Sequence, residues 1–345
     1  MKLCLLPEEG NFYKANLHCH TNLSDGKMTR EEIKAHYMSL GYQVVCYTDH
    51  EVLLGHKDLC DENFVALHGY EVAIKKDLSA HTAYFMPVYH FNLIAEEQDN
   101  LTMPRFFIGN NSYPGSSKKW LDEVGKFDEN DTMETVKYDV DFINDYVKAV
   151  SEKGFLVTYT HPRWSLHNYA DFIGLRGLHA IEVINGGCTV LNDNTSVHFE
   201  QLLRAGVDIL PIGGDDNHNK STCGIGWTMI KAKALTYEAL IEAYKKGDCY
   251  ASEGPEILSL TLEDDPEGKE SYIRVKTSAA FAISLLSEGR ACAVKRSEDG
   301  KATEAEFSYA PKAFGRYFRI EVRDKEGRKA FSRAYTIEEI EKKRK

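Results

Sequence analysis

Apolar residues recur along this chain with two alternating rhythms. Short runs rich in Val, Ile, Tyr and Phe predict strands at 13–17, 43–47, 64–68, 82–86, 155–159, 180–184, 208–212 and 227–230. Between several of them, apolar positions spaced three and four apart predict amphipathic helices over 29–40, 138–153, 195–205 and 236–246. Thr29, followed by Glu31 and Glu32, is a start signal for the first, and Gly41, Gly154, Gly206 and Gly247 close the four in turn. Strand alternating with helix in this way predicts an α/β fold with a parallel sheet or barrel. Two stretches break the rhythm. Residues 87–137 are polar and turn-rich, with Asn-Asn-Ser-Tyr-Pro-Gly-Ser-Ser at 110–117, and are expected to be an insertion near the active site. From about Pro255 the segments 257–262, 272–276, 281–286, 305–309 and 317–322 are β-rich and separated by turns such as Glu298-Asp299-Gly300. They predict a small antiparallel β domain over 255–345, set after a larger unit at 1–254.

Composition narrows the class. The 345 residues are 43% hydrophobic and 28% charged, as in ordinary soluble globular proteins. No apolar run approaches the roughly 18–20 residues of a membrane span, and the first ten residues turn acidic too soon for a secretory signal. The expected location is cytoplasmic, with no membrane partner. A formal net charge of −11 disfavours an extended nucleic-acid surface. It leaves room for a small anionic substrate, because bound divalent cations reverse the local sign of a carboxylate-rich pocket. The eight cysteines are scattered and form no CxxC pair, which reads as reduced thiols packed as small apolar groups.

The unusual feature is where the histidines and carboxylates fall. His18 and His20 follow the first predicted strand, Asp49-His50 the next and Glu71 the third. His161-Pro162 and then Asp216 and His218 follow later ones. In parallel α/β folds the strand C-termini converge on one face, where catalytic groups gather. His18-x-His20 and Asp216-x-His218 have period two, so on extended backbone each pair projects to one side, with Cys19 on the other. Asp49 and His50 diverge, which makes one a ligand and the other a partner that orients an imidazole. Asp25 by itself reads as a turn residue, and Glu71 by itself as any carboxylate. His36, His56, His68, His90, His167, His179 and His198 are read as core or surface groups.

Taken in order, these residues resemble the PHP (polymerase and histidinol phosphatase) family. Its HxHxxxSDG motif stands as His18-Cys19-His20-Thr21-Asn22-Leu23-Ser24-Asp25-Gly26, and its second motif as Thr48-Asp49-His50. Gly69-Tyr70-Glu71 matches its Gly-x-Glu, with His81 as the downstream histidine, and His161-Pro162 matches the fourth motif. Asp215-Asp216-Asn217-His218 stands where many members have Ser-Asp-x-His, so Asp215 adds a carboxylate near the ligands. The resemblance covers about residues 13–254, including the closing segment 246–255. It implies a distorted, TIM-like seven-stranded (β/α) barrel and two or three divalent metals. By the same resemblance, His18, His20, Glu71 and Asp216 would hold one metal. Glu71, His81 and His161 would hold a second, and Asp25, His50 and His218 a third.

Mixed imidazole and carboxylate donors suit Zn²⁺, Mn²⁺ or Fe²⁺. Clustered metals lower the pKa of a water toward about 7 and clamp attacking and leaving oxygens, which suits phosphate ester hydrolysis. The predicted activity is that of a phosphoesterase acting on a small phosphorylated molecule, a nucleotide or sugar phosphate. Asp49 and Asp215 are expected to assist, and Arg163 to pair with phosphate, with Lys27 a weaker choice. Two alternatives stay open: a metallohydrolase of a carbamate, ester or amide, and a non-catalytic, metal-stabilised binding protein.

Overall fold

The structure is a computed structural model, and it describes residues 1–76, 85–110, 112–188 and 197–345. The predicted rhythm sets its centre. Strands β1 (Lys2–Cys4), β2 (Asn11–Asn16), β3 (Val44–Tyr47), β4 (Val65–Lys75) and β5 (Val88–Ala95) come first. A two-residue parallel pair, β6 (Phe106–Phe107) and β7 (Thr132–Met133), precedes β8 (Phe155–Tyr159), β9 (Ala180–Asn185) and β10 (Leu210–Gly214). Then follow β11 (Trp227–Ala232) and β12 (Cys249–Ser252). Of the expected strand at 82–86, residues 82–84 lie outside the described residues.

Helices α1 (Arg30–Ser39), α2 (Ser117–Val124), α3 (Val140–Glu152), α4 (Tyr169–Phe172), α5 (Val197–Arg204) and α6 (Tyr237–Lys246) lie between these strands. The start signal of α1 is a full capping box between Thr29 and Glu32. Helix α6 ends on Gly247 in the left-handed region, at φ +72°, where a side chain would be strained. Helix α3 turns Ile143, Tyr146, Val147 and Val150 into the core, at the spacing of one helical face. Each such side chain contributes about 1.5–3 kcal/mol when fully buried. Among the described residues no helix is long and apolar enough to cross a membrane.

The ladders among the described residues do not show the expected distorted seven-stranded barrel as a closed ring. They form one long sheet, in the order β10-β9-β8-β5-β4-β3-β2-β11-β12. The pairs β2/β3, β3/β4, β8/β9 and β9/β10 are parallel, as predicted. Strand β5, however, runs antiparallel to both β4 and β8, and β11 runs antiparallel to β2. The outermost strand β10 returns toward β2 at its C-terminal end. There the Asp216 N–H donates to the His18 carbonyl at 2.9 Å and the His20 N–H to that of Asn217 at 3.2 Å. This parallel bridge joins the two segments that carry the histidine pair and the Asp216/His218 pair.

Val88–Ala95, expected to open an irregular insertion, is therefore a sheet strand. Its Tyr89, Phe91 and Leu93 are buried in the main core cluster, while His90 and Asn92 alternate with them.

The C-terminal strands are β13 (Ile257–Asp264), β14 (Ser271–Ala280), β15 (Ala282–Ser287), β16 (Ala293–Arg296), β17 (Ala302–Ser308), β18 (Tyr317–Arg323), β19 (Lys329–Ser332) and β20 (Tyr335–Thr336). Helices α7 (Pro311–Phe314) and α8 (Ile337–Arg344) accompany them. All pair antiparallel, as expected. Two connections were not legible in advance. Strand β19 pairs with β12, so the long sheet continues through β19, β18, β15 and β16. Strand β1, from the first residues of the chain, pairs with β13 in a separate four-stranded sheet.

Candidate metal centre

The site lies at the C-terminal ends of β2, β3, β8 and β10 and within β4. After β2, His18 and His20 turn the same way, with their Nε2 atoms 3.0 Å apart. Cys19 between them is packed on the other side with Ile33, Tyr37 and Tyr47. After β10 the backbone is not extended as expected. Asp216 there has φ +47°, and His161, after β8, has φ +23°. Non-glycine residues held in this region cost on the order of 1–3 kcal/mol and cluster at functional sites. The kink aims the Asp216 carboxylate at His20, with Oδ1 3.1 Å from Nε2. His218 Nε2 then lies 3.4 Å from Asp25 Oδ1, and His50 Nε2 3.7 Å from Asp25 Oδ2.

Glu71, fully buried, sits at the centre. Its Oε1 lies 2.9 Å from His90 Nδ1 and 3.0 Å from His161 Nε2, and accepts the Thr160 hydroxyl at 3.1 Å. Its Oε2 lies 3.4 Å from His18 Nε2, 3.3 Å from His20 Nε2 and 3.1 Å from His50 Nδ1. Among His18 Nε2, His20 Nε2, Glu71 Oε2 and Asp216 Oδ1, the five pairs other than Glu71/Asp216 are 3.0 to 3.4 Å apart. A tetrahedral ion with bonds of about 2.0–2.1 Å sets its donors roughly 3.3–3.4 Å apart. His20 Nδ1 and Glu71 Oε2 are buried with no hydrogen-bond partner among the described residues, which is costly unless a cation answers the cluster. The donor set therefore fits a divalent metal. Among the described residues, four overlapping groups have the spacing to hold one: His18/His20/Glu71, His18/His161/Asp216, His50/Glu71/His90 and His20/Asp25/His50/His218.

Charge is concentrated accordingly. Burial opposes protonation of His20, but Asp216 and Glu71 outweigh it and push the ring up to about 10. His18 and His161 are raised too, against burial, by the neighbouring carboxylates. Burial, then the positive His20, pushes His50 down to about 3. Glu71 and Asp216 are held well below the usual carboxylate range by the surrounding imidazoles, despite burial.

Two members of the site escaped the sequence reading. His90, taken as a core or surface group, touches Glu71. The signal was its place in the alternating run 88–95. Glu182 lies inside β9, where a carboxylate in an apolar strand is itself a signal. One oxygen is 2.7 Å from His18 Nδ1, and the other accepts the His161 N–H at 3.0 Å and Asn185 Nδ2 at 2.8 Å. Gly214 is required beside it, because a Cβ there would come within 2.9 Å of His18 Cβ and 3.1 Å of Glu182 Oε1. Glu182→Gln is expected to lower metal affinity roughly 10–100-fold with the fold intact. A metal titration followed by circular dichroism would check this, and unchanged affinity would refute the orienting role.

The remaining sequence candidates lie as follows. His81 is outside the described residues. Asp49 accepts from the Thr21 and Ser24 backbone N–H groups at 2.8 and 3.1 Å and from both of their hydroxyls, holding the loop that leads to Asp25. Asp215 accepts from the N–H groups of Gly224, Ile225 and Gly226 and from Tyr37 Oη. Burial pushes its carboxyl up to about 6 against those donors. Asp215→Asn would set an amide against backbone N–H groups, so a loss of about 1–3 kcal/mol of stability is expected by urea titration. Arg163 and Lys27 are exposed and outside the cavity over the cluster.

That cavity has a volume of about 460 Å³. Among the described lining residues its one lysine or arginine is Lys75, on the same face of β4 as Glu71 and Ala73, by the two-residue period. Lys75 Nζ donates to Ser112 Oγ at 3.0 Å. Pro87, Pro114 and the half-exposed Trp164 form an apolar wall.

No family model matches the sequence, and no curated protein does. Solved structures are similar at low identity. One is a two-domain Bacteroides vulgatus protein described as containing a predicted PHP-like metal-dependent phosphoesterase. It is 13% identical, with 97% of each chain covered and a TM-score of 0.44. Another, from Bifidobacterium adolescentis and described as a "putative metal-dependent phosphoesterase", is 18% identical over 63% of this chain and 90% of that one, with a TM-score of 0.37. An amidohydrolase from Chromobacterium violaceum, with bound sulfate and no metal, is 15% identical over 59% and 87%, with a TM-score of 0.33. The first carries the name of the family that the motif order resembles.

Proposed function

We propose that this protein is a metal-dependent phosphoesterase that hydrolyses a small phosphorylated molecule, a nucleotide or sugar phosphate. The observation that supports it most is Glu71, whose two oxygens each face more than one imidazole at the floor of a substrate-sized cavity. In this reading His18, His20, Glu71 and Asp216 hold one metal, and Glu71, His90 and His161 a second. Asp25, His50 and His218, beside His20, hold a third. Zn²⁺, Mn²⁺ or Fe²⁺ there would supply Lewis acidity and a water of lowered pKa. Glu182 fixes the His18 ring and the His161 backbone. Asp49 positions the Asp25 loop, and Asp215 ties the segment after β10 to the 224–226 turn.

Lys75 meets substrate charge in place of Arg163, while Trp164, Pro87 and Pro114 give the same cavity apolar surface that excludes water. A charge-assisted hydrogen bond is worth about 1.5–3 kcal/mol. Lys75→Met is therefore expected to raise KM about 10–100-fold with little change in kcat. Steady-state kinetics would show it, and a loss confined to kcat would count against a binding role. The whole reading is tested by assaying metal-loaded protein on phosphoester, carboxyl-ester and amide panels, with and without chelator. Chelator-sensitive phosphoester cleavage is expected. Stoichiometric metal with no phosphoester cleaved, or cleavage of the carbonyl substrates alone, would overturn it.

A further inference from the structure

A second cavity, of about 400 Å³, lies at the opposite end of the strands from the metal cluster. It opens beside His179, directly before β9, beside Asp208, two residues before β10, and beside the last turn of α6. The C-terminal segment supplies the other wall, through Arg333, Glu339 and Lys343. Three separate parts of the chain meet there, since Cys4 and Leu5 also line it.

Its buried polar groups are short of partners. The Arg333 side chain is only 13% exposed. Its Nη1 donates to the Ala334 carbonyl at 2.9 Å, and its Nη2 lies 2.9 Å from Glu339 Oε1 without hydrogen-bond alignment. Among the described residues its Nε has no hydrogen-bond partner, and neither does His179 Nε2. Buried donors in folded proteins are almost always satisfied, so each such gap calls for an acceptor. The guanidinium is held in place by the Tyr335 ring, 4.2 Å away. It also passes close over Gly247, where a Cβ would lie 2.8 Å from Arg333 Cδ.

Lys245, Lys246 and Lys343 add three ammonium groups around the rim. Lys245 pairs with Glu96 and Lys246 with Glu242, but these carboxylates stand outside the cavity and the pairs are exposed. Exposed pairs contribute about 0–1 kcal/mol, so a ligand can compete for both lysines. Asp208, Asp248 and Glu339 also line the cavity and limit the negative charge it will take.

We infer that this cavity binds a small oxyanion, a phosphate or a short carboxylate, anchored by Arg333 and the rim lysines, which clamps the C-terminal segment onto the base of the strands. The site is separate from the metal cluster, and no chemistry takes place in it. Isothermal titration and thermal unfolding of the full-length protein in inorganic phosphate and in malonate, against chloride at equal ionic strength, test it. One or both anions should bind and raise Tm by a few degrees, and the anion that binds identifies the class. Lys343→Glu and Lys246→Glu should each weaken that binding at least fivefold while leaving turnover unchanged. These two rim variants decide the matter even if Arg333→Met fails to fold. No binding by either anion, or equal binding by wild type and both variants, as an anion held only at the metal centre would give, overturns the inference.

Discussion

Glu71→Gln is expected to abolish turnover and strip most of the bound metal. Losing a residue that merely orients a ligand costs roughly 10–100-fold in affinity or activity, and this loss should exceed that range. Glu71 is the side chain on which His18, His20, His50, His90 and His161 all converge. Gln keeps the shape but replaces one oxygen with an NH₂ donor. It would point hydrogens at imidazole nitrogens and remove the negative charge that balances them. Elemental analysis and kcat measured on one preparation would check both parts. A variant with full metal content and near wild-type kcat would remove Glu71 from the centre of the proposal.

Metal loading is expected to release protons, and to strengthen steeply with pH. In the metal-free protein the carboxylates push His20 up to about 10, so this ring holds its proton near neutrality, and they raise His18 and His161 above an ordinary imidazole. An imidazole must be neutral to bind a metal, so ion and proton compete. Apparent affinity should rise about tenfold per pH unit for each proton displaced, below the folded-state pKa. The linkage has a second consequence. A raised histidine pKa stabilises the metal-free fold fully below the ordinary value of about 6.5. For His20 that contribution fades as pH climbs through about 10. Chelated protein should therefore lose stability on the alkaline side, while loaded protein should not. Calorimetric titration in two buffers of different ionisation enthalpy measures the proton count. A count of zero near pH 7 would contradict the charge state derived for the cluster.

Much of this was written in local pattern. Period-two spacing accounts for the shared direction of His18 and His20 and for Cys19 packing away from them. Turn glycines and caps marked the helix ends within a few residues. What stayed hidden depends on pairing between distant segments. Nothing near residues 88–95 states that the strand runs antiparallel between β4 and β8, which is what carries His90 to Glu71. Asp49 and Asp215 have the residue type of catalytic groups, yet their oxygens are occupied by loop N–H and hydroxyl donors visible only in the folded chain. Arg163 stood near His161 in sequence, whereas Lys75, four residues beyond Glu71 on one strand, reaches the cavity.

The ladder between β12 and β19 has a bearing on how the chain comes apart. Phe331, Tyr317 and Ala334 share a buried cluster with Val183, Phe199 and Leu202, so apolar packing crosses the same seam. A chain cut at Gly254 would leave β12 with an unpaired rim and strip that cluster of its aromatic cover, which is a template for self-association. The two parts of the sequence should accordingly melt in a single transition, with mechanical load on the C-terminal strands transmitted through β12 and β11 to β2, the strand that carries the histidine pair.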